Sequence, residues 1–308
     1  MRASLQALTD ELRRLKASGV KSLSVSDESL KALRSALASQ PRASKAVAGP
    51  PSAPTPPSVI ADAAESFRPV EKKFAVKPID SGAAAVPAPT VFKIPEGEKS
   101  ARWAALREIV LGDAVCKSHV RAGKQVVFGV GSVDAKIMFV GEAPGADEEV
   151  QGEPFVGPAG QLLTKMITAM GLKRSDVYIG NIMNWRPEMP LDSSGTQFGN
   201  RPPTEQEMAY CLPYLKAQIE VVNPDVLVAL GSTAAQGLLG VGSFKALGDI
   251  RGRWHEFAGK PLMVTYHPSY ILRNQSNRSK RMIWEDLLKV MERVGLAISE
   301  KQRGFFLA

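Results

Sequence analysis

From about residue 98 onward, short apolar runs alternate with segments whose apolar residues recur at every third or fourth position. Apolar runs bounded by Gly or Asn are typical of buried strands, and the longer spacing is typical of helices. The runs predict four strands, at 135–141, 177–182, 226–231 and 262–267. The spacing predicts helices at 99–113, 159–171, 204–222, 232–239 and 280–295. This alternation predicts an α/β fold with a mostly parallel central sheet.

The chain before residue 98 follows a different pattern. Residues 1–39 place leucines at helical spacing and predict a short helical N-terminal segment. Residues 40–97 are rich in Pro, Ala and Ser, a composition that cannot bury a core, so they predict a disordered linker. We therefore divide the chain into these two segments, a globular domain at 98–296 and a C-terminal tail at 297–308.

Composition narrows the class of protein. No run of about 18 apolar residues, the length needed to cross a membrane, occurs in the sequence. The N-terminal stretch carries Asp10 and Glu11 and lacks the uninterrupted apolar region of a secretory signal. Two cysteines are too few for a disulfide framework. We expect a cytoplasmic protein that is monomeric and makes no membrane contact.

Positive charge is concentrated in one window of the sequence. The chain has a formal net charge of +8, and residues 251–281 hold seven Lys and Arg against the single acid Glu256. Two interpretations fit this window equally well. It is either a solvated basic surface or a surface that contacts the phosphates of a nucleic acid.

Polar residues lie where each predicted strand ends. These are Gly141–Glu142, Asn181, Gly231–Ser232 and His267–Pro268–Ser269. Ligands of parallel α/β sheets bind beyond the carboxyl ends of the strands, so the pattern predicts a site there. Asn181 would suit the edge of a flat heterocycle, although a turn-forming Asn is the common alternative. A structural role is likewise the alternative for His267.

The Gly-rich loop after the first strand raises a nucleotide site as a hypothesis, and its residues argue against it. It lacks the GxxxxGKS or GxxxxGKT pattern of a phosphate-binding loop. Four carboxylates that would repel a phosphate lie in it: Glu142, Asp147, Glu148 and Glu149. Glycines there permit close approach to the backbone, and Phe155 offers either a flat apolar face or an ordinary core side chain.

Several stretches in a fixed order carry a family resemblance. "VGEAPGADEEVQGEPFVGPAGQLL", "VYIGNIMNWRP", "NRPPTEQEMAYCLPYL", "VLVALGSTAAQGLLG" and "VTYHPSYILR" together resemble the uracil-DNA glycosylase superfamily, and its family 4 branch in particular. The resemblance covers roughly residues 105–295. It implies a three-layer α/β/α catalytic domain that flips uracil out of DNA and hydrolyses its N-glycosidic bond for base excision repair. A cytoplasmic, nucleoid-associated bacterial enzyme is the corresponding expectation.

The resemblance also implies roles for individual residues. Phe155 stacks on the flipped uracil, Asn181 hydrogen-bonds its edge, and His267 donates to uracil O2. The main chain at Gly141, Ala143 and Gly145 helps to hold the base, with Ala143 at the position where the family 1 enzymes have Asp. The water is handled by Glu142 or Glu148, and we favour Glu148 on the sequence alone.

DNA contacts are implied by "HPSYILRNQSNRSKR", which resembles the loop that enters the minor groove. Leu272 would be the apolar wedge between bases. The residues expected on the phosphates are Ser232, Ser269, Arg273, Arg278, Lys280 and Arg281.

The sequence departs from the family 4 pattern at the iron–sulfur cluster, which that branch usually binds through four cysteines. Cys116 and Cys211 match two of the positions, but the other two hold His119 and Trp185. Tryptophan does not ligate iron, so we expect no 4Fe–4S cluster and no other cofactor. A second departure is the segment 188–200, "EMPLDSSGTQFGN", which is longer than the usual connection.

Two further hypotheses concern partners. Gln302, Phe305 and Phe306 in the tail loosely resemble the peptide by which bacterial repair proteins bind the sliding clamp, and packing of the tail on its own domain is the alternative. The alternative to an enzyme is a catalytically idle relative that binds DNA or associates with a polymerase through residues 1–39.

Overall fold

The computed structural model describes residues 86–89, 91–193 and 195–307. Our predictions for 1–39 and for most of the linker lie outside these residues. The helices are α1 Lys99–Gly112, α2 Ala114–Ser118, α3 Ala146–Gln151, α4 Pro158–Ala169, α5 Glu205–Val222, α6 Ser232–Leu239, α7 Leu247–Ile250, α8 Pro268–Arg273, α9 Asn277–Arg293 and α10 Glu300–Arg303. The strands are β1 Val130–Gly131, β2 Ile137–Gly141, β3 Tyr178–Asn181, β4 Val226–Leu230, β5 Trp254–Phe257 and β6 Lys260–Thr265. None of the described helices has both the length and the apolar character needed to cross a membrane.

The six strands form one mixed sheet in the order β1-β3-β2-β4-β6-β5. The four inner strands are parallel and are the four that the sequence predicts, each within a few residues of its expected bounds. The outer strands β1 and β5 run antiparallel and were not predicted. A Cβ at Gly131 would lie 2.0 Å from the carbonyl oxygen of Val177, so β1 pairs through a glycine that permits this close approach.

Alternating side chains of the inner strands bury against helices on both faces of the sheet. In β2, Met138 and Val140 belong to the core that packs against α1 and α5. Ile137 and Phe139 belong to the second core, which packs against α4 and α9. All five residues of β2 are buried, as expected for a parallel strand covered on both faces. The α/β/α layering is therefore confirmed.

The strand order opens a crevice at the carboxyl edge of the sheet. The chain passes from β2 to β3 on one side of β2 and then crosses to β4 on the other side. Connections that leave in opposite directions cannot fill the space above β2, and this is where such folds bind ligands. The sequence places Gly141, Asn181 and Gly231 at this edge because each follows a buried strand.

Candidate functional site

A cavity of about 570 Å³ lies at the carboxyl ends of the inner strands. Its size falls within the range of about 300–1,000 Å³ that is usual for small-molecule sites. The four strand ends converge on it through Glu142, Asn181, Ser232 and His267, as the sequence predicts. The remaining predicted lining residues that it includes are Ala143, Gly145, Glu148, Phe155, Ser269 and Arg273.

The phenyl ring of Phe155 forms one wall of the cavity. A Cβ at Gly141 would lie 2.5 Å from Cζ of this ring and 2.4 Å from Oδ1 of Asn181, so only glycine fits at the end of β2. Phe155 has a φ of 55°, and its ring centroid lies 5.6 Å from that of His267 with a tilt of 33°. The ring also packs into the core beside α4, so the core and the ligand-wall interpretations both hold.

Asn181 carries a buried acceptor without a partner. Its side chain is 7 % exposed, and among the described residues no group donates to Oδ1. Leaving such an atom unsatisfied costs about 1–3 kcal/mol. The cost is intelligible if Oδ1 accepts a hydrogen bond from the N–H edge of a flat ligand that lies against Phe155.

His267, which follows β6, lines the cavity as an uncharged hydrogen-bond donor. Its Nδ1 accepts a hydrogen bond from the backbone N–H of Ser269 at 3.2 Å and lies 2.8 Å from the Ser269 hydroxyl. Because a backbone N–H only donates, the ring proton is on Nε2. Burial and the nearby charge of Arg273 lower the pKa of His267 to about 4. The ring is therefore uncharged near neutral pH and presents an Nε2–H donor.

Glu148 holds the backbone of the Gly-rich loop. One carboxylate oxygen accepts from the amide of Gly145 at 3.1 Å, and the other accepts from the amides of Val156 and Gly157 at 3.0 and 2.9 Å. These bonds tie the segment after β2 to the segment that carries Phe155. They occupy both oxygens, which argues against our sequence-based preference for Glu148 as the residue that handles water.

Glu142 differs from Glu148 in its surroundings. It is half-buried, and burial raises the pKa of its carboxyl, while a hydrogen bond with the Thr233 side chain acts in the opposite direction. Thr233 lies one residue into α6 and also lines the cavity. Sequence reasoning missed Thr233, because nothing in its neighbourhood along the chain marks a partner for a carboxylate about 90 residues earlier.

Of the two other acids in the loop, one is structural and one lies at the surface. Glu149 is buried and accepts from Arg186 at 2.9 Å. Arg186 donates further to Asn200 Oδ1 and to the Gly199 carbonyl, both at 2.8 Å. Asp147 is exposed and lines the cavity rim.

The basic window divides into structural and exposed cations. Arg251 pairs with the buried carboxylate of Asp286 at 2.7 Å, so part of the window supports α9 instead of facing solvent. Arg281, which the sequence placed among the phosphate contacts, instead donates to Glu285 and to the carbonyls of Arg303 and Phe305. The other predicted contacts on and after α8 do face solvent: Leu272 is 42 % exposed, and Arg273 and Arg278 are exposed. Lys280 is partly exposed, with its Nζ 5.9 Å from the Phe306 ring.

The positions where the resemblance would place a cluster form a packed interior. Cys116 and Cys211 are buried, and the neighbouring thiol of Cys211 together with burial raises the pKa of Cys116. Trp185 is fully buried and stacks on His119 with 4.8 Å between ring centroids and 9° between planes. Within the described ranges, no group of three or more His, Cys, Asp or Glu is placed to hold a metal ion. Two sulfurs and an indole do not match a four-cysteine cluster.

The tail packs on the domain. Gln302 donates to the carbonyl of Ala169 at 2.8 Å, and its own carbonyl accepts from the Trp284 indole at 2.6 Å. The ring of Phe305 lies 5.3 Å from that of Trp284, and Phe306 is 39 % exposed. Two of the three residues of the proposed clamp peptide are thus engaged within the protein.

The fold and the cavity define a three-layer α/β/α protein with a cavity, lined by Phe155 and by polar side chains, at the carboxyl edge of its sheet. A family model described as the uracil DNA glycosylase superfamily matches residues 128–288. The type-4 uracil-DNA glycosylase of Thermotoga maritima is 43% identical over 175 residues, which is 56% of this chain and 85% of that protein. Those of Archaeoglobus fulgidus and Pyrobaculum aerophilum are 41% and 38% identical, with 51% and 57% of this chain and 76% and 87% of the respective relatives covered. The chain belongs to the uracil-DNA glycosylase superfamily, on its family 4-like branch.

Proposed function

We propose that the protein is a DNA-repair hydrolase that removes uracil from DNA at this cavity. The observation that carries the proposal is the buried, unpartnered Oδ1 of Asn181 beside the Phe155 ring. The three relatives described above, of which this chain matches 76–87%, are type-4 uracil-DNA glycosylases. Because the glycosidic bond is shielded inside a stacked duplex, the nucleotide must be turned out of the helix before it is cut.

Base recognition follows from the walls of the cavity. With the uracil ring against Phe155, Asn181 Oδ1 accepts from the N3–H of uracil, and its amide donates to the neighbouring O4. Cytosine has an acceptor at N3 and an amino group at C4, so both hydrogen bonds would meet the wrong partner. A site built around such bonds rejects the mismatched ligand because buried polar groups remain unpaired.

Bond cleavage sends its electron pair to the base. As the bond between C1′ and N1 breaks, negative charge develops on uracil N1 and O2. The Nε2–H of His267 donates to O2, and its neutral state fits a hydrogen-bond donor better than an acid that surrenders its proton. The backbone N–H groups of Glu142 and Ala143 supply further donors, in the manner of an oxyanion hole, since Pro144 has none and that of Gly145 donates to Glu148.

We propose that Glu142 positions the water that attacks the sugar. Its ionised carboxylate accepts a proton from the water as oxygen bonds to C1′, and it also stabilises the positive charge on the sugar. Thr233 orients this carboxylate. Glu148 then acts through the backbone: it positions the loop that carries the amides and Phe155.

DNA contacts of the proposed enzyme lie on and after α8. Leu272 enters the space that the base vacates, with Arg273, Arg278 and Lys280 on phosphates. Ser232 contributes from the start of α6, and Ser269 acts mainly by fixing His267. Each phosphate contact adds to the salt dependence of binding.

The enzyme works without an iron–sulfur cluster in this proposal. The support is the packing of Trp185 on His119 and the burial of Cys116 and Cys211 in the same core, which together fill the region between α2 and α5. No step of the hydrolysis needs electron transfer, since both electrons of the broken bond leave with the base.

We propose that the tail binds the sliding clamp only after two of its residues give up their contacts within the protein. Gln302 and Phe305 would have to leave Ala169 and Trp284 before they could bind a partner. Unchanged binding to the clamp after deletion of residues 302–308 would dismiss it. A nucleoid location in the cytoplasm accords with repair of DNA and is likewise proposed.

An oligonucleotide with a single uracil tests the function. Incubation with the protein should release free uracil and leave an alkali-labile abasic site. The catalytically idle alternative predicts salt-sensitive binding to the same oligonucleotide without release of uracil.

A further inference from the structure

The segment 188–200 projects an aromatic side chain that no part of the proposed reaction uses. Phe198 is 71 % exposed, whereas its neighbour Gln197 is only 6 % exposed. A single exposed apolar side chain is common on protein surfaces. Phe198 differs in how its backbone is held and in its position beside the cavity.

The backbone around Phe198 is held from both sides. The Gln197 side chain donates to the Pro187 carbonyl at 3.0 Å and accepts from the Met189 amide at 3.1 Å. The Gly199 carbonyl accepts from Arg186 at 2.8 Å. The ring is therefore presented outward by a rigid support, so little conformational entropy is lost when it binds.

Phe198 lies beside the mouth of the cavity. Pro187, Asn200 and Arg201 line the cavity, and two residues of chain separate Phe198 from Asn200 by at most about 7 Å. Arg273 on α8, the neighbour of the exposed Leu272, lines the same cavity. A DNA strand that delivers a nucleotide into the cavity passes this rim.

We propose that Phe198 stacks on an unpaired nucleobase of the uracil-bearing strand, next to the flipped nucleotide, and so favours single-stranded DNA as substrate. The inference rests on the proposed function. Stacking of bases on aromatic side chains is indifferent to sequence because every base has a π-face. A base in single-stranded DNA is available to Phe198, whereas the same base in a duplex remains paired and stacked within the helix.

The test compares Phe198→Ala with wild type on one uracil-containing sequence, single-stranded and as a duplex. We expect kcat/KM on the single strand to fall roughly five- to hundredfold, through KM, and activity on the duplex to stay within about twofold. Phe198→Trp should restore the wild-type value because it keeps an aromatic face. Leu191→Ala is the matched control, since it removes a side chain that is 49 % exposed on the same segment. It should leave kcat/KM unchanged on both substrates.

Three results would overturn the inference: equal loss on both substrates, loss on the duplex alone, or no loss while wild type releases uracil. Equilibrium binding of the single-stranded oligonucleotide is measured alongside and should weaken by a similar factor. That measurement tests stacking even if wild type released no uracil, an outcome that would instead count against the proposed function. Unfolding temperature should be unchanged, because the side chain lies largely in solvent.

Discussion

Replacement of His267 by alanine removes the donor that we propose faces uracil O2. Loss of one such donor typically costs about 2.7–4 kcal/mol of activation free energy, or roughly a hundred- to thousandfold in rate. The structure supports a value in this range because the donor is fixed in advance: Nδ1 accepts from Ser269, and burial keeps the ring neutral. Ser269→Ala keeps the backbone N–H that holds Nδ1, so its loss should be smaller.

The assay for His267→Ala is single-turnover release of uracil from an oligonucleotide, read as alkali-labile strand. A pKa of about 4 also predicts that the wild-type rate has no inflection near pH 6.5, the ordinary value for His. A rate for His267→Ala within about fivefold of wild type would refute the donor role, since that loss amounts to only about 1 kcal/mol. A wild-type inflection near 6.5 that is lost in His267→Ala would refute the neutral ring.

Folding stability gives an independent check on the same group. The folded pKa of His267 is about 4 and the ordinary value is 6.5, so between these pH values the unfolded chain binds more protons. The contribution to stability is therefore present above pH 6.5 and is lost as pH falls towards 4. Its size is on the order of 3 kcal/mol. Denaturant unfolding at pH 5 and 7.5 should show a smaller pH dependence in His267→Ala.

Three other expectations follow from the site. The wild-type rate should fall as pH drops through the raised pKa of Glu142. Thr233→Val removes the hydrogen bond that lowers this pKa, so it should move the acidic limb of the pH–rate profile to higher pH. An acidic limb that does not move would contradict the interaction between Glu142 and Thr233. Gly141→Ala should abolish uracil release while the protein stays folded, because its Cβ would collide with Phe155 and Asn181, and near-wild-type activity would show that the wall can shift. The purified protein should be colourless, with no absorbance near 400 nm and no bound iron; stoichiometric iron would contradict the absence of a cluster.

The sequence predicted the inner sheet and the position of the site because both depend on local patterns. Four apolar runs and the polar residues that end them place Asn181 and His267 at one edge of any parallel sheet. The edge strands β1 and β5 escaped prediction because one has two residues and the other is only partly buried. Backbone pairing, which leaves little trace in composition, defines both.

The different roles that we propose for the acidic residues of the loop could not be predicted from the sequence. Glu142 and Glu148 are six positions apart in one loop and look equivalent along the chain. Only the turn of the backbone brings the amides of Val156 and Gly157 to Glu148, and only the packing of α6 brings Thr233 to Glu142. The role of Arg251 was obscured for the same reason, because its partner lies 35 residues away on α9.

The measurement that tests the central claim most directly is uracil release by wild type and by the Asn181→Ala/His267→Ala double variant on the same oligonucleotide. The account predicts free uracil and an abasic site from wild type. The double variant lacks both the group that reads N3–H and the donor to O2, so it should release no detectable uracil while it remains folded. Full activity in the double variant, or no abasic product from wild type, would contradict the account.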